Sequence, residues 1–221
     1  MMNIHSLINH VTPPLKTGDT VEHALGLMME FRVRHLPVVD GMGALVGVVS
    51  EDQLLDAAGP DAPVASLLGP KPIVAEPDAH VFDVTKIMVQ HDLTTLPVAA
   101  EDNRYIGLVR RYDIFDQFAR MFSTQEAGAI LAIEVAPRDY SLSQLVYTIE
   151  QNDVKILSIA TEMPTTSTGQ IRITLKLNVQ ETSRVRHMLE HHGYHVVATF
   201  SEEDDEDLQL RVLEFMRYLE V

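Results

Sequence analysis

Three arginines, a histidine and an aspartate have types and spacing that suit anion recognition. They are Arg34 beside His35, Arg110 beside Arg111, and Asp113 three residues after Arg110. The chain has 17 Lys and Arg against 32 Asp and Glu, a net charge of -15, so these basic pairs are where an anionic ligand would bind. Arginine suits phosphate because its planar fork donates in parallel. The competing reading is that they are solvated arginines paired with nearby acids. His187 and His191 stand at i and i+4, with His192 and His195 close by. That spacing could hold zinc. It equally suits exposed residues at a helix C-terminus, where partial positive charge is favourable, and no metal site is expected.

The run GMGALVG at 41–47 imitates a dinucleotide loop. That loop needs a strand before the glycines, a helix after them and an acid about 20 residues on. Here the strand-like LVGVV follows instead. Further along, PVAAEDNRYIGLV repeats the outline with Glu101, Asp102 and Asn103 in place of Gly41, Met42 and Gly43, so these are turn residues. The chain lacks a nucleophile elbow, an HExxH zinc motif and a phosphate loop, and its one concentration of carboxylates is the tail run at 202–207. It is therefore not expected to be an enzyme.

The 221 residues suffice for more than one small domain. With no cysteine there are no disulfides or thiolate sites, which suits a reducing compartment, and cytoplasm is the expected location. There is no leader pattern and no apolar run near 18 residues, so a soluble chain without membrane association is expected. The negative charge repels phosphate backbones and anionic head groups, which argues against nucleic acid or membrane as general partners.

The elements that must position these groups come from a repeat. Ser6, Leu7, Val21, Met28, Leu36, Pro37, Val38, Gly47 and Val49 recur sixty residues on as Ser66, Leu67, Val81, Met88, Leu96, Pro97, Val98, Gly107 and Val109. Each copy reads β-α-β-β-α. A helix carries Val21, Leu25, Met28 and Phe31 at helical spacing, with Asp19 and Glu22 as its capping signal. Two β-branched runs follow around a turn, LPVV with LVGVV and LPVA with YIGLV, and a second helix closes the copy. A unit this small exposes an apolar sheet face. Copies at 1–60 and 61–122 are thus expected to pack about a pseudo-twofold axis, with the ligand position between them.

The LPVVD strand, the ending Gly-hydrophobic-hydrophobic-Thr/Ser-x-x-Asp and the tandem arrangement resemble the cystathionine beta-synthase (CBS) domain pair, or Bateman module. The resemblance implies a regulatory module holding AMP, ADP, ATP or S-adenosylmethionine in its clefts. It implies that the motif aspartate takes the ribose hydroxyls, that the Thr/Ser position lies near ribose and phosphate, and that residues before LPV line base and phosphate pockets. In GLVRRYD the aspartate is Asp113 and the Thr/Ser position is Arg110; in GVVSEDQ that position is Ser50, and Gln53 replaces the aspartate. A carboxamide offers one acceptor oxygen against the two of a carboxylate, so the Asp113 cleft is expected to be the stronger. The implied ligand-binding set is Asp113, Arg110, Arg111, Thr94, Thr95, Leu108, Val33, Arg34, His35, Pro13 and Ser50.

From Gly128 the pattern changes. AILAIEV reads as a strand, SLSQLVYTIEQN as a helix with the capping box Ser141-x-x-Gln144, and VKILSIAT as a strand. QIRITLKL then reads as a strand, ETSRVRHMLEHH as a helix ended by Gly193, and YHVVATF as a last strand. The order β-α-β-β-α-β over 128–200 is ferredoxin-like, which makes the whole chain α/β (α+β). With HHGYHVV it resembles an ACT domain, a module that dimerises and often binds amino acids. Its first loop, APRDYS, carries Asp139 but no glycine, so amino-acid binding is not expected. Two CBS copies followed by an ACT-like domain, with DVKILSI in its second strand, resemble the acetoin-utilisation proteins. The tail at 201–221 joins an acidic linker to a stripe of Leu208, Val212, Phe215 and Leu219. These features together point to a self-associating regulatory protein acting on an unidentified partner, with a ligand-free scaffold as the alternative.

Overall fold

A computed structural model describes residues 3–69, 72–164, 166 and 169–200; the tail expected at 201–221 lies outside the described residues. The chain divides into two compact units, one ending at Gln117 and the other beginning at Phe118.

The first unit contains both copies of the repeat. In the first copy, β1 (Leu15–Lys16) pairs parallel with β2 (His35–Val39), and β2 pairs antiparallel with β3 (Leu45–Ser50). Helices α1 (Val21–Phe31) and α2 (Glu51–Leu55) complete it. The second copy has α3 (Val81–Gln90), the hairpin β4 (Thr95–Ala99) with β5 (Tyr105–Arg110), and α4, which starts at Arg111 and ends at Met121. Its first strand shrinks to a single parallel bridge between Ala75 and Val98. Val21, Met28, Leu36, Val38 and Val49 are buried, and so are Val81, Met88, Leu96, Val98 and Val109 sixty positions later. The identities that recur are largely the ones that fill the cores.

The turns repeat as well. Gly43 has φ +84° and Asn103 φ +64°, so the two hairpins use left-handed residues at matching places, and asparagine tolerates that conformation better than other side chains. Arg32 (φ 54°) and Asp92 (φ 48°) match in the same way after α1 and α3. The capping expectation at α1 is corrected: Thr20 is the cap, its hydroxyl accepting from the N–H of His23 at 3.2 Å. Asp19 accepts instead from the N–H of Lys16 at 2.8 Å, one residue too early to reach the helix.

The copies meet about the pseudo-twofold. Leu45 N–H donates to Asn103 O (3.0 Å) and Tyr105 N–H to Gly43 O (3.1 Å). They also exchange leading segments. Asn9 exchanges backbone hydrogen bonds with Leu108 of the second copy at 2.7 and 3.2 Å. In turn Val21 N–H donates to Ala62 O at 3.0 Å and Val64 N–H to Asp19 O at 2.9 Å, which ties the second copy's leading segment to the first. Bare glycines accept these segments: a Cβ on Gly47 would lie 2.5 Å from Leu68 Cδ2, and one on Gly107 would lie 2.6 Å from Ile8 Cγ2 and 2.8 Å from Asn9 O.

The second unit is a βαββαβ ferredoxin-like fold. Its strands β6 (Ala129–Val135), β7 (Ile156–Glu162), β8 (Ile171–Leu177) and β9 (His195–Phe200) form an antiparallel sheet in the order β7-β8-β6-β9. Helices α5 (Leu142–Glu150) and α6 (Ser183–His191) bury Leu145, Ile149, Val185 and Leu189 against Leu131, Ile133, Ile173 and Leu175. Ser141 caps α5, its hydroxyl accepting from Gln144 N–H at 3.4 Å.

Candidate functional site

Where β2 and β4 approach, the backbone brings Arg34 and His35 against Thr94 and Thr95. Arg34 N–H donates to Thr94 Oγ1 (2.9 Å), and Thr95, fully buried, donates from Oγ1 to His35 O (2.8 Å). Glu51 N–H donates to Arg34 O at 2.8 Å and Arg111 N–H to Thr94 O at 2.9 Å, so both second helices start at this junction. A cavity of about 370 Å³ opens here. It gathers five of the expected residues, Arg34, His35, Ser50, Thr94 and Arg111, with Glu51, Asp52, His91 and Asp92, which the sequence reading did not include.

The basic island is corrected at this point. Arg34 donates from Nε to Glu51 Oε2 (2.8 Å) and from Nη2 to Asp52 Oδ1 (3.1 Å). Arg111 donates from Nη2 to Asp92 Oδ1 (2.9 Å) and from Nε to Leu93 O (3.0 Å). Two guanidinium groups here face three carboxylates, so the arginine and carboxylate charges leave the cavity net negative. In this acidic chain both arginines of the cavity meet carboxylates. The hydrogen bond and charge of Arg111 hold the Asp92 carboxyl below its ordinary range, and the bond to Glu51, with the charge of Asp52, holds Arg34 more firmly protonated.

Arg110 and Asp113 form a separate pair at the start of α4. The fork is bidentate, Nε to Oδ2 at 2.8 Å and Nη2 to Oδ1 at 2.7 Å, with the side chains 31% and 19% exposed. The matching residues of the first copy are also engaged. Gln53 Oε1 accepts from Ser50 N–H (2.8 Å), Ser50 Oγ accepts from Gln53 N–H (3.2 Å), and Gln53 Nε2 donates to Leu67 O (3.4 Å). Leu108 is buried in β5 against Asn9, and Val33 is buried in the first-copy core. Beside Pro13, the Thr12 hydroxyl is buried without a hydrogen-bond partner.

His35 is half-buried and receives Thr94 N–H on Nδ1 (3.3 Å), with Thr94 Oγ1 also 3.1 Å from that nitrogen. A backbone N–H only donates, so Nδ1 is the acceptor and the ring is neutral with its proton on Nε2. Burial first, and the Arg34 charge second, push the His35 pKa below its ordinary 6.5; Asp92 and Asp52 oppose this and Arg111 adds to it. The unfolded chain therefore takes up this proton first as pH falls. The stabilisation is complete above about pH 6.5 and is lost below it. Thermal melting of wild type and His35→Asn from pH 8 to pH 5 should show a steeper loss in wild type below pH 6.5, and parallel curves would refute it.

In the second unit a larger cavity, about 710 Å³, lies between the loop from Ala136 to Ser141 and the turn from His192 to His195. Arg138 and Asp139 line it as a mutual pair at 3.4 Å. His187 and His191 are not among its lining residues, and among the described residues no group of three or more His, Cys, Asp or Glu is placed to hold a metal ion.

The family described as CBS domain matches residues 7–59 and 64–120. Inosine-5'-monophosphate dehydrogenase of Korarchaeum cryptofilum is 28% identical over 142 residues, 64% of this chain and 30% of that protein. The magnesium transporter MgtE of Thermus thermophilus is 30% identical over 132 residues, 58% of this chain and 29% of that protein. The chain thus spans less than a third of the length of either relative. The crystal structure of a putative acetoin utilization protein from Vibrio cholerae shares the fold at 22% identity, covering 57% of this chain and 96% of that one with a TM-score of 0.50. Among the described residues no helix is long and apolar enough to cross a membrane.

Proposed function

We propose, from the premise that this chain is a tandem CBS-domain protein, that it is a regulatory sensor of adenine nucleotides. The observation that carries this reading is the junction on the pseudo-twofold, where both copies contribute arginine and hydroxyl groups to one polar cavity while Asp113 opens the adjacent helix. A CBS pair is a regulatory module. The implied ligand is AMP, ADP or ATP, with S-adenosylmethionine as the phosphate-free competitor. Asp113 takes the ribose hydroxyls, and Arg34, His35, Ser50, Thr94 and Arg111 meet phosphate. Pro13, Val33, Thr95 and Leu108 line or support the pocket.

The proposed domains are CBS copies 1–60 and 61–122, an ACT-like domain at 128–200 and the tail at 201–221. Ligand binding alters how the CBS pair engages the ACT-like domain or a second copy of the chain. The domain order supports a regulatory association with acetoin or acetate metabolism. A scaffold without ligand is the second reading, favoured by the internal satisfaction of Gln53 and of the arginines.

A thermal-shift screen with AMP, ADP, ATP, S-adenosylmethionine and NAD separates the two. A ligand at a hundred times its dissociation constant adds about 2.7 kcal/mol to the folded state. A clear upward shift with an adenine nucleotide is expected. A flat response to every adenosyl compound would leave the scaffold.

A further inference from the structure

Asp113, the residue given the ribose, is already held. Arg110 covers both of its carboxylate oxygens, one N–H to each, at 2.8 and 2.7 Å. A ribose that approaches Asp113 must displace at least one arm of that fork or accept the lone pairs it leaves. The first copy seals the matching place differently, through Ser50 and Gln53, and there the bonds run through backbone N–H groups that hold the helix start together. Arg110 is tied to Asp113 only through a long side chain, so it can swing away without unwinding α4. Its release costs charge-assisted hydrogen bonds, and a ligand that offers another anion restores them.

Resting on the reading of Asp113 as the ribose contact, we infer that Arg110 is a latch that sets specificity. It shields Asp113 from neutral or cationic adenosyl compounds and yields to nucleotides whose phosphate re-pairs the guanidinium. The site thereby demands a phosphate beside the nucleoside, and adenosine and S-adenosylmethionine are disfavoured.

Calorimetric titrations of the full chain with adenosine and with AMP test this, using wild type, Arg110→Ser, Arg110→Lys and Asp113→Ala, each checked for its melting transition. Arg110→Ser installs the residue that the first copy carries at this place. Wild type should bind AMP at least about tenfold more tightly than adenosine. Arg110→Ser should narrow that ratio to about threefold or less, by strengthening adenosine and weakening AMP. Arg110→Lys keeps the charge without the fork and should fall between. An unchanged ratio in Arg110→Ser, or equal weakening of both ligands, would overturn the latch and leave the nucleotide site standing. No binding of either ligand to wild type, or binding indifferent to Asp113→Ala, would overturn the site and the latch with it.

Discussion

Replacing Asp113 by alanine is expected to weaken adenine-nucleotide binding by roughly tenfold to a hundredfold, while Gln53→Ala changes it little. Losing a hydrogen bond to a charged group costs about 1.5–3 kcal/mol, and 1.4 kcal/mol is a factor of ten in affinity. The loss should be larger for adenosine than for ATP. In Asp113→Ala the Arg110 guanidinium loses its partner and is free to meet phosphate, which offsets part of the missing ribose contact. The Asp113 carboxylate keeps further lone pairs beside its Arg110 fork. Gln53 differs because its single acceptor oxygen is spent on Ser50 N–H in the capping box of α2 and its amide nitrogen donates to Leu67 O. Its removal should appear in stability instead, since half of the capping box at α2 goes with it, at about 1 kcal/mol. Isothermal titration of the two variants decides the matter. Equal affinity in wild type and Asp113→Ala would remove Asp113 from the site, and a greater loss from Gln53→Ala would move the site to the first copy.

The features legible in the sequence were those that recur locally. The sixty-residue repeat exposed the core because Val21, Met28, Leu36 and their counterparts fill equivalent places. Gly43 was legible as a turn residue because Asn103 stands at its counterpart, and both take left-handed backbone. The ferredoxin-like unit followed from alternating periods of two and 3.6. What stayed hidden depends on side-chain partners or on contacts distant in sequence. With nearly twice as many acids as bases, proximity along the chain does not tell which carboxylate an arginine meets. Thus Arg34 joined Glu51 and Asp52, and Arg111 joined Asp92 nineteen residues back. The exchange of leading segments left no local trace either, since Asn9 and Leu108 meet in a single bridge. Asp19 and Thr20 are both competent caps, and a one-residue shift in the helix start decided between them.

That exchange makes the two motif glycines unequal, and Gly107→Ala is expected to destabilise the protein clearly more than Gly47→Ala. At Gly47 a methyl group would meet Leu68 Cδ2, the far end of a flexible side chain, at 2.5 Å, and a rotamer change clears it. At Gly107 the methyl would lie 2.6 Å from Ile8 Cγ2 and 2.8 Å from the backbone oxygen of Asn9, with His10 Nδ1 at 3.2 Å. That oxygen accepts from Leu108 N–H at 3.2 Å, and His10 Nδ1 sits 3.1 Å from Ile106 O, so this segment cannot yield without giving up its attachment to β5. Overpacking of this kind costs about 1–3 kcal/mol, against a gain of about 0.4–1 kcal/mol from restricting the unfolded glycine. Gly47→Ala should therefore come out near neutral, and Gly107→Ala should melt several degrees lower. The functional consequence runs through the same segment, because Thr12 and Pro13 come two and three residues after His10. Gly107→Ala should weaken nucleotide binding at a temperature where it remains folded, and Gly47→Ala should leave it unchanged. Melting curves and titrations of the two variants test both parts. If Gly107→Ala is as stable as wild type, the leading segment is not seated on β5; if it is destabilised but binds normally, the segment does not shape the pocket.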